Sequence, residues 1–150
     1  MADRVLFELV SPERLILSEM VEMVVVPGTE GNFGVLPGHS PLISSIRPGT
    51  IDVYENRNVT QRFFVVGGIA EVTPERCTVL ADEALAPESL DRAVLEAELQ
   101  TVQGNLPSLR DQVGRATGTE RERLNTELRH LERQHAVVGA KLMVIAERAH

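Results

Sequence analysis

The 150-residue sequence has one cysteine, one lysine and no tryptophan. A single cysteine excludes a disulfide within the chain and leaves too few thiolate ligands for a structural zinc site. Cys77 therefore has no disulfide partner here, and its position in the strand-like segment CTVLA predicts a small side chain buried in a core.

Basic residues are also scarce, because 15 Lys and Arg stand against 22 Asp and Glu and give a net charge of -7. Contact with nucleic-acid phosphates normally needs a basic surface, so this composition argues against a DNA- or RNA-binding protein. The N-terminal segment MADRVLFELVSPER has far fewer apolar residues than a signal-peptide core or a membrane span of about 20 residues. We therefore expect the chain to remain in the compartment where it is made.

The first 86 residues contain every aromatic residue, seven of the eleven glycines and six of the eight prolines. Short extended segments alternate there with turn residues, a pattern typical of an all-β sandwich or barrel. In TIDVYE, Ile51, Val53 and Glu55 alternate with Asp52 and Tyr54, which indicates a sheet with one solvent-exposed face. The predicted segments are VLFELV, SEMVEMVVV, TIDVYEN, VTQRFFVV, IAEVT and CTVLADEA.

Residues 87–150 are rich in Ala, Leu, Glu, Arg and Gln, and this composition is typical of helices. Pro87 and Glu88 suit the first turn of a helix. We expect that helix to end near Gly104, ahead of Pro107, because these two residues break helices.

A second helix is expected after a loop containing Gly114 and Gly118, because Thr119 to Glu122 match a reciprocal capping pattern. Its apolar positions step alternately by four and three residues, which is the heptad spacing of a packing seam. The predicted fold class is α+β in two parts, an all-β sandwich of residues 1–86 and an antiparallel two-helix hairpin of residues 87–150. The seam positions are Leu124, Leu128, Leu131, His135, Val138, Leu142, Ile145 and Ala149.

The stretch PGTEGNFGVLPGHSPL, residues 27–42, contains four glycines and three prolines and is the strongest candidate for a functional site. It lacks the Gly-Lys-Ser/Thr ending of a Walker loop and the GxGxxG spacing of a dinucleotide fold, so it does not predict a phosphate site. His39 and Ser40 are adjacent, a placement that rarely lets a base reach its nucleophile, and a small hydrolase is therefore the weaker hypothesis.

The other histidines, His130, His135 and His150, do not form a ligand set with carboxylates at helical spacing. The residues alone thus favour an interaction protein with no catalytic, cofactor or metal site. In this interpretation residues 27–42 form a surface loop.

The sequence resembles the epsilon subunit of bacterial-type rotary (F-type) ATP synthases, the counterpart of the mitochondrial delta subunit. The resemblance rests on LVSPERLILSEMVEMVVVPGTEGNFGVLPGHSPLISSIRPG at residues 9–49 and on VVGGIAEVTPERCTVLADEA at residues 65–84. The run EGxxGxxPGHxPL, from Glu30 to Leu42, is its most specific part.

This resemblance implies a ten-stranded β sandwich joined to a helical hairpin, within a non-catalytic subunit of the central stalk beside the gamma subunit and the c ring. It implies a peripheral location in the complex at the cytoplasmic face of a bacterial inner membrane. Asn32 replaces an acidic residue of some relatives, so charge pairing with the ring is expected to rest on Glu30. The implied c-ring contacts are Glu30, Gly31, Asn32, Phe33 and His39.

The resemblance also implies that the helical hairpin can act as a brake on ATP hydrolysis by reaching the beta subunits. A solvated helix face is the alternative interpretation of the basic residues involved. These residues are Arg121, Arg123, Arg129, Arg133 and Lys141.

Some relatives bind ATP through Ile/Leu-Asp-x-x-Arg-Ala at the start of the first helix, where this chain has Leu90, Asp91 and Arg92 followed by Ala-Val-Leu. The Arg-Ala pair is displaced by two residues, which turns the side chain by about 200° on a helix. This displacement puts ATP binding in doubt. A nucleotide-responsive regulator that binds ATP at the hairpin is the second functional hypothesis, and it rests on Leu90 and Asp91.

Overall fold

A computed structural model of the chain describes residues 3–148. The chain divides into two compact units, the first ending at Ser89 and the second beginning at Leu90. The first unit is the β domain, and it holds ten strands and one short 3-10 turn. The strands are β1 (Val5–Ser11), β2 (Arg14–Val21), β3 (Met23–Gly28), β4 (Gly31–Val35), β5 (Leu42–Ile46), β6 (Gly49–Glu55), β7 (Asn58–Val65), β8 (Gly68–Val72), β9 (Arg76–Ala81) and β10 (Ala84–Leu85).

The strands form one sheet in the order β10-β7-β6-β3-β5-β8-β9-β1-β2, with β4 paired to β3. The β1–β9 pair is parallel and the other pairs are antiparallel. The sheet curls so that its β2 end meets the β6–β7 hairpin, where Arg4 donates from both terminal nitrogens to Glu55 at 2.7 and 2.9 Å. The prediction of a β sandwich followed by two helices is confirmed.

Alternating side chains of the strands fill the core of the β domain. Val5, Phe7 and Leu9 on β1 are fully buried while the residues between them are partly exposed. Ile51 and Val53 on β6 are buried as the alternation predicted. Cys77 is likewise fully buried, which confirms its predicted place in the core.

Several parts of the strand prediction were wrong. CTVLADEA was interpreted as one extended segment, but it includes a bend at Asp82 between β9 and β10, and β5 was not predicted. SEMVEMVVV was interpreted as one extended segment, but the chain bends at Glu22 and the segment belongs to β2 and β3. Residues 27–42 were interpreted as a loop, yet they contain all of β4. Strand β4 has the sequence GNFGV, whose glycines give little strand propensity, and it is stabilised by pairing with β3 and by burial of Val35.

The second unit is a hairpin of helices α1 (Arg92–Arg115) and α2 (Gly118–Arg148). The predicted start of the first helix at Pro87 was wrong, because Pro87–Ser89 forms a separate 3-10 turn. Its predicted end near Gly104 was also wrong, since α1 continues through Pro107. Buried side chains on both sides of the proline, Leu106 and Val113, hold α1 together there.

Helix α2 starts one residue before the predicted capping segment, at Gly118, whose φ is 62°. The heptad seam is confirmed, since Leu124, Val138 and Ile145 are buried and the intervening seam residues are half-buried. His135 lies in this seam with Nε2 3.4 Å from Nε2 of Gln103 on α1. Ala149 lies outside the described residues.

Candidate functional site

The β3–β4 hairpin forms the first half of the stretch singled out from the sequence. Gly28 pairs with Gly31 across the turn, which leaves Thr29 and Glu30 exposed at the tip. Gly31 has a φ of 132°, in the region that favours glycine, so a glycine permits this turn as the sequence predicted. Asn32 is exposed as well, whereas Phe33 is half-buried and packs against the core of the β domain.

Arg47 was not predicted as a site residue, but its side chain hydrogen-bonds both strands of this hairpin. Its Nη1 donates to the carbonyl oxygen of Gly28 and its Nη2 to Oδ1 of Asn32, each at 2.5 Å. Its only sequence signal is the RPG turn between β5 and β6, which says nothing about contact with a strand nineteen residues earlier.

His39 lies in the loop after the other end of β4, so the structure does not bring it next to Glu30. Strand β4 has five residues, which at about 3.3 Å per residue place roughly 13 Å between its two ends. His39 Nδ1 donates to the backbone oxygen of Ser40 at 2.7 Å, and its backbone N–H donates to Leu36 at 3.2 Å. The ring nitrogen thus binds the Ser40 carbonyl and not the hydroxyl that a hydrolase would need to activate.

A row of apolar side chains crosses the outer face of the sheet. Cross-strand pairing joins Leu15 to Val10, Val10 to Leu80, and Leu80 to Ile69. Three of the four are about half exposed, with relative exposures of 56% for Leu15, 52% for Leu80 and 48% for Ile69. We call these four residues the apolar row.

A polar row lies beside the apolar row on the same four strands. Glu71 pairs with Thr78, Thr78 with Glu8, and Glu8 with Ser18. The hydroxyl of Thr78 donates to Glu8 Oε1 at 3.1 Å. An apolar strip bordered by polar side chains has the anatomy of a protein-binding surface.

The basic residues predicted on the hairpin are distributed around α2. At 100° per residue, Arg121, Arg129 and Arg133 fall within a sector of about 120°, whereas Arg123 and Lys141 lie about 200° from Arg121. All four arginines are exposed and Lys141 is half-buried. Arg123 forms an ion pair with Glu127 at 2.9 Å.

The candidate ATP-motif residues have structural positions at the start of α1. Asp91 is the N-cap and accepts hydrogen bonds from the backbone N–H groups of Ala93 and Val94 at 2.9 and 3.3 Å. Leu90 is buried, and Arg92 is the exposed first residue of the helix. The carboxylate of Asp91 is thus already used by its own helix.

A groove of about 640 Å³ lies between α1 and α2. The described residues that line it include one carboxylate and no lysine or arginine, so it offers no charge complement to a triphosphate. The lining consists of Asn105, Ser108, Leu109, Gln112, Thr126, Glu127, His130 and Leu131.

Residues 3–148 contain neither a cluster suited to a metal ion nor a helix suited to a membrane span. No group of three or more His, Cys, Asp or Glu side chains in this range is placed to hold a metal ion. His150 lies outside it. Neither helix, over its described length, combines the length and hydrophobicity that a membrane span requires.

Comparison with known proteins supplies a family. Residues 4–87 match the family described as "ATP synthase, Delta/Epsilon chain, beta-sandwich domain". The chain is 51% identical over 120 residues to the ATP synthase epsilon chain of Rhodospirillum rubrum, covering 80% of this chain and 90% of the relative. It is 48% identical over 148 residues to the epsilon chain of Rhodospirillum centenum, covering 97% and 94%.

A solved structure has a similar fold. A chain in the structure of the Euglena gracilis mitochondrial ATP synthase, OSCP/F1/c-ring in rotational state 1, matches with a TM-score of 0.70 at 19% identity. The match covers 100% of this chain and 84% of the other. The Euglena gracilis chain therefore has a fold similar to that of this chain although only 19% of the aligned residues are identical.

Proposed function

Because the chain belongs to the delta/epsilon family of ATP synthase subunits, we propose that it is a non-catalytic rotor subunit that couples the gamma subunit to the c ring. The observation that carries the proposal is the likeness to an epsilon chain over 97% of this chain, through both the β domain and the helices. As part of that complex the subunit would lie peripherally, at the cytoplasmic face of a bacterial inner membrane.

The apolar row is the surface that we assign to the gamma subunit. Burying an apolar side chain the size of Leu80 contributes about 1.5–3 kcal/mol, and the row places Leu15, Leu80 and Ile69 side by side for that purpose. The β3–β4 hairpin, with Glu30 at its exposed tip and Asn32 beside it, is the surface that we assign to the c ring. His39 would contribute from a separate loop.

Binding to purified gamma subunit tests the first assignment. We expect Leu80→Glu to weaken the affinity about tenfold, as for a central interface residue. The matched control is Val94→Glu, which adds the same charge at a residue that is 61% exposed on α1, and it should bind as the original chain does. Equal affinity of both variants would remove the apolar row from the interface, and no binding by the original chain would contradict the proposed function.

We assign the inhibitory contact with the beta subunits to the sector of Arg121, Arg129 and Arg133. Exposed arginines on one side of a 31-residue helix suit an acidic partner surface. Arg123, already paired with Glu127, and Lys141 lie on another side and are expected to contribute less.

Charge reversal tests the inhibitory role of the helical hairpin without shortening the chain. The double variant Arg121→Glu, Arg129→Glu should raise ATP hydrolysis by the assembled complex, whereas Arg123→Gln should leave it nearly unchanged. Equal hydrolysis by the complexes with the original chain, the double variant and Arg123→Gln would mean that these arginines have no inhibitory role.

A further inference from the structure

The guanidinium of Arg47 spans the base of the β3–β4 hairpin. Its two acceptors, the Gly28 carbonyl oxygen and Asn32 Oδ1, lie on opposite strands, one before and one after the tip residues Thr29 and Glu30. The arginine is thus a second closure of the hairpin, in addition to the strand pairing between Gly28 and Gly31.

The backbone around Arg47 holds the same segment. The Arg47 N–H donates to Pro27 O at 3.0 Å, and the Thr29 N–H donates to Ser45 O at 3.1 Å. Pro48 follows Arg47 and restricts its backbone to extended conformations, which limits where the guanidinium can reach. The half-buried arginine is therefore ordered before any partner arrives.

We propose that Arg47 is the positioning residue of the ring contact, holding the β3–β4 hairpin in the conformation that presents Glu30 to the partner. This inference rests on the proposed function. An ordered loop loses less conformational entropy on docking than a free one, so the arginine raises affinity without touching the ring.

The charges at the hairpin indicate what the partner loop must carry. Asn32 is neutral, so its hydrogen bond with Arg47 does not neutralise the positive charge of the guanidinium. The carboxylate of Glu30 is not an acceptor of Arg47 and is available to a partner. A fitting partner loop therefore offers a cation or N–H donors to Glu30.

Lysine is the informative replacement at position 47. A planar guanidinium binds two separated acceptors at once, whereas an ammonium keeps the charge but acts as a single point. If charge alone mattered, Arg47→Lys would behave as the original chain. If the double tie matters, Arg47→Lys should resemble Arg47→Ala.

Two measurements on the full-length chain test the proposal. The first is amide hydrogen exchange of the isolated protein, in which Arg47→Ala and Arg47→Lys should speed exchange at Thr29 and Gly31 about tenfold. In the second measurement, F1 depleted of this subunit is bound to c-ring-containing vesicles and each variant is added to it. The measured quantity is the concentration of the variant that restores half of the ATP-driven proton uptake. We expect that concentration to rise about tenfold for both variants.

Arg62→Ala is the matched control, because Arg62 is an arginine of the same domain whose ion pair is with Asp52, at 3.4 Å. It should change neither measurement. Asn32→Ala removes only the hydrogen bond to Nη2, which Arg47→Ala removes as well, so it should speed exchange by itself but add nothing to the exchange rate of Arg47→Ala.

The outcomes separate the inference from the function on which it rests. Faster exchange with unchanged docking would make Arg47 merely structural and overturn the inference, as would additive effects of Arg47→Ala and Asn32→Ala on the exchange rate. If Glu30→Gln docks as well as the original chain, the hairpin is not the ring contact and the inference falls with that assignment. If the original chain restores no proton uptake, the proposed function itself fails.

Discussion

Backbone geometry at single residues limits which side chains the β domain accepts. Gly68, the first residue of β8, has a φ of 131°, where side chains are rarely tolerated. A Cβ at this position would lie 2.0 Å from the carbonyl oxygen of Leu80 on the neighbouring strand β9. Both the dihedral angle and the close approach therefore require glycine.

We predict that Gly68→Ala lowers the free energy of unfolding by roughly 3 kcal/mol or more, because the strand pair must separate to admit a methyl group. The matched control is Gly104→Ala in α1, where a Cβ meets nothing within 4 Å. It should stabilise the helix by up to about 1 kcal/mol. Urea titrations of both variants measure the two effects, and effects of the same sign would contradict this account.

Burial of Cys77 couples the stability of the β domain to alkaline pH. Burial raises the pKa of its thiol from 9.0 to about 12. A raised folded-state pKa stabilises the protein fully below pH 9, and this contribution is lost as pH rises from about 9 towards 12, because only the unfolded thiol ionises there.

We therefore predict that the free energy of unfolding decreases above pH 9 by about 1.4 kcal/mol per pH unit from this residue. Cys77→Ala removes this component and leaves every other side chain in place. Urea titrations between pH 8 and 10 compare the slopes. Equal slopes would show that the thiol does not stay neutral in the folded protein.

Whole elements were predictable wherever their signal is local. The seam of α2 follows from the spacing of its apolar residues, and the alternation of Ile51 and Val53 follows from strand geometry. The capping pattern indicated the right region for the start of α2, although Thr119 lies inside the helix. Signals carried by distant residues were missed. The hydrogen bond from Arg47 to Gly28 joins residues nineteen positions apart. Strand β4 was missed for another reason, because its glycines give little strand propensity although it pairs with the neighbouring β3.

Helix α1 shows how distant packing outweighs a local penalty. Proline inside a helix costs about 3 kcal/mol and glycine about 1 kcal/mol relative to alanine. Leu106 and Val113 are both buried, and each such side chain contributes about 1.5–3 kcal/mol, so the helix continues through Pro107. The sequence rule for helix ends took account only of the penalty.

We predict that Pro107→Ala raises the free energy of unfolding of the helical unit by about 1–3 kcal/mol, because alanine restores the N–H that bonds within the helix. Pro107 is exposed, so no core contact is lost. Thermal melts followed by circular dichroism at helical wavelengths provide the measurement. A lower melting temperature would contradict this prediction.

At the scale of the molecule, the two units differ in charge and in assigned task. Residues 1–89 hold six basic and thirteen acidic residues, whereas residues 90–150 hold nine of each. Both surfaces assigned to rotor partners, the apolar row and the β3–β4 hairpin, belong to the β domain. We therefore assign torque transmission to the β domain and inhibition to the helices.

Coupling in a reconstituted complex tests this central claim most directly. F1 depleted of this subunit is bound to c-ring-containing vesicles, and ATP-driven proton uptake is measured per ATP hydrolysed, with the full chain or with a chain ending at Ser89. We predict that both chains restore proton uptake and that hydrolysis is faster with the shorter one. Failure of the chain ending at Ser89 to restore proton uptake where the full-length chain succeeds, or equal hydrolysis with both chains, would contradict this division of tasks.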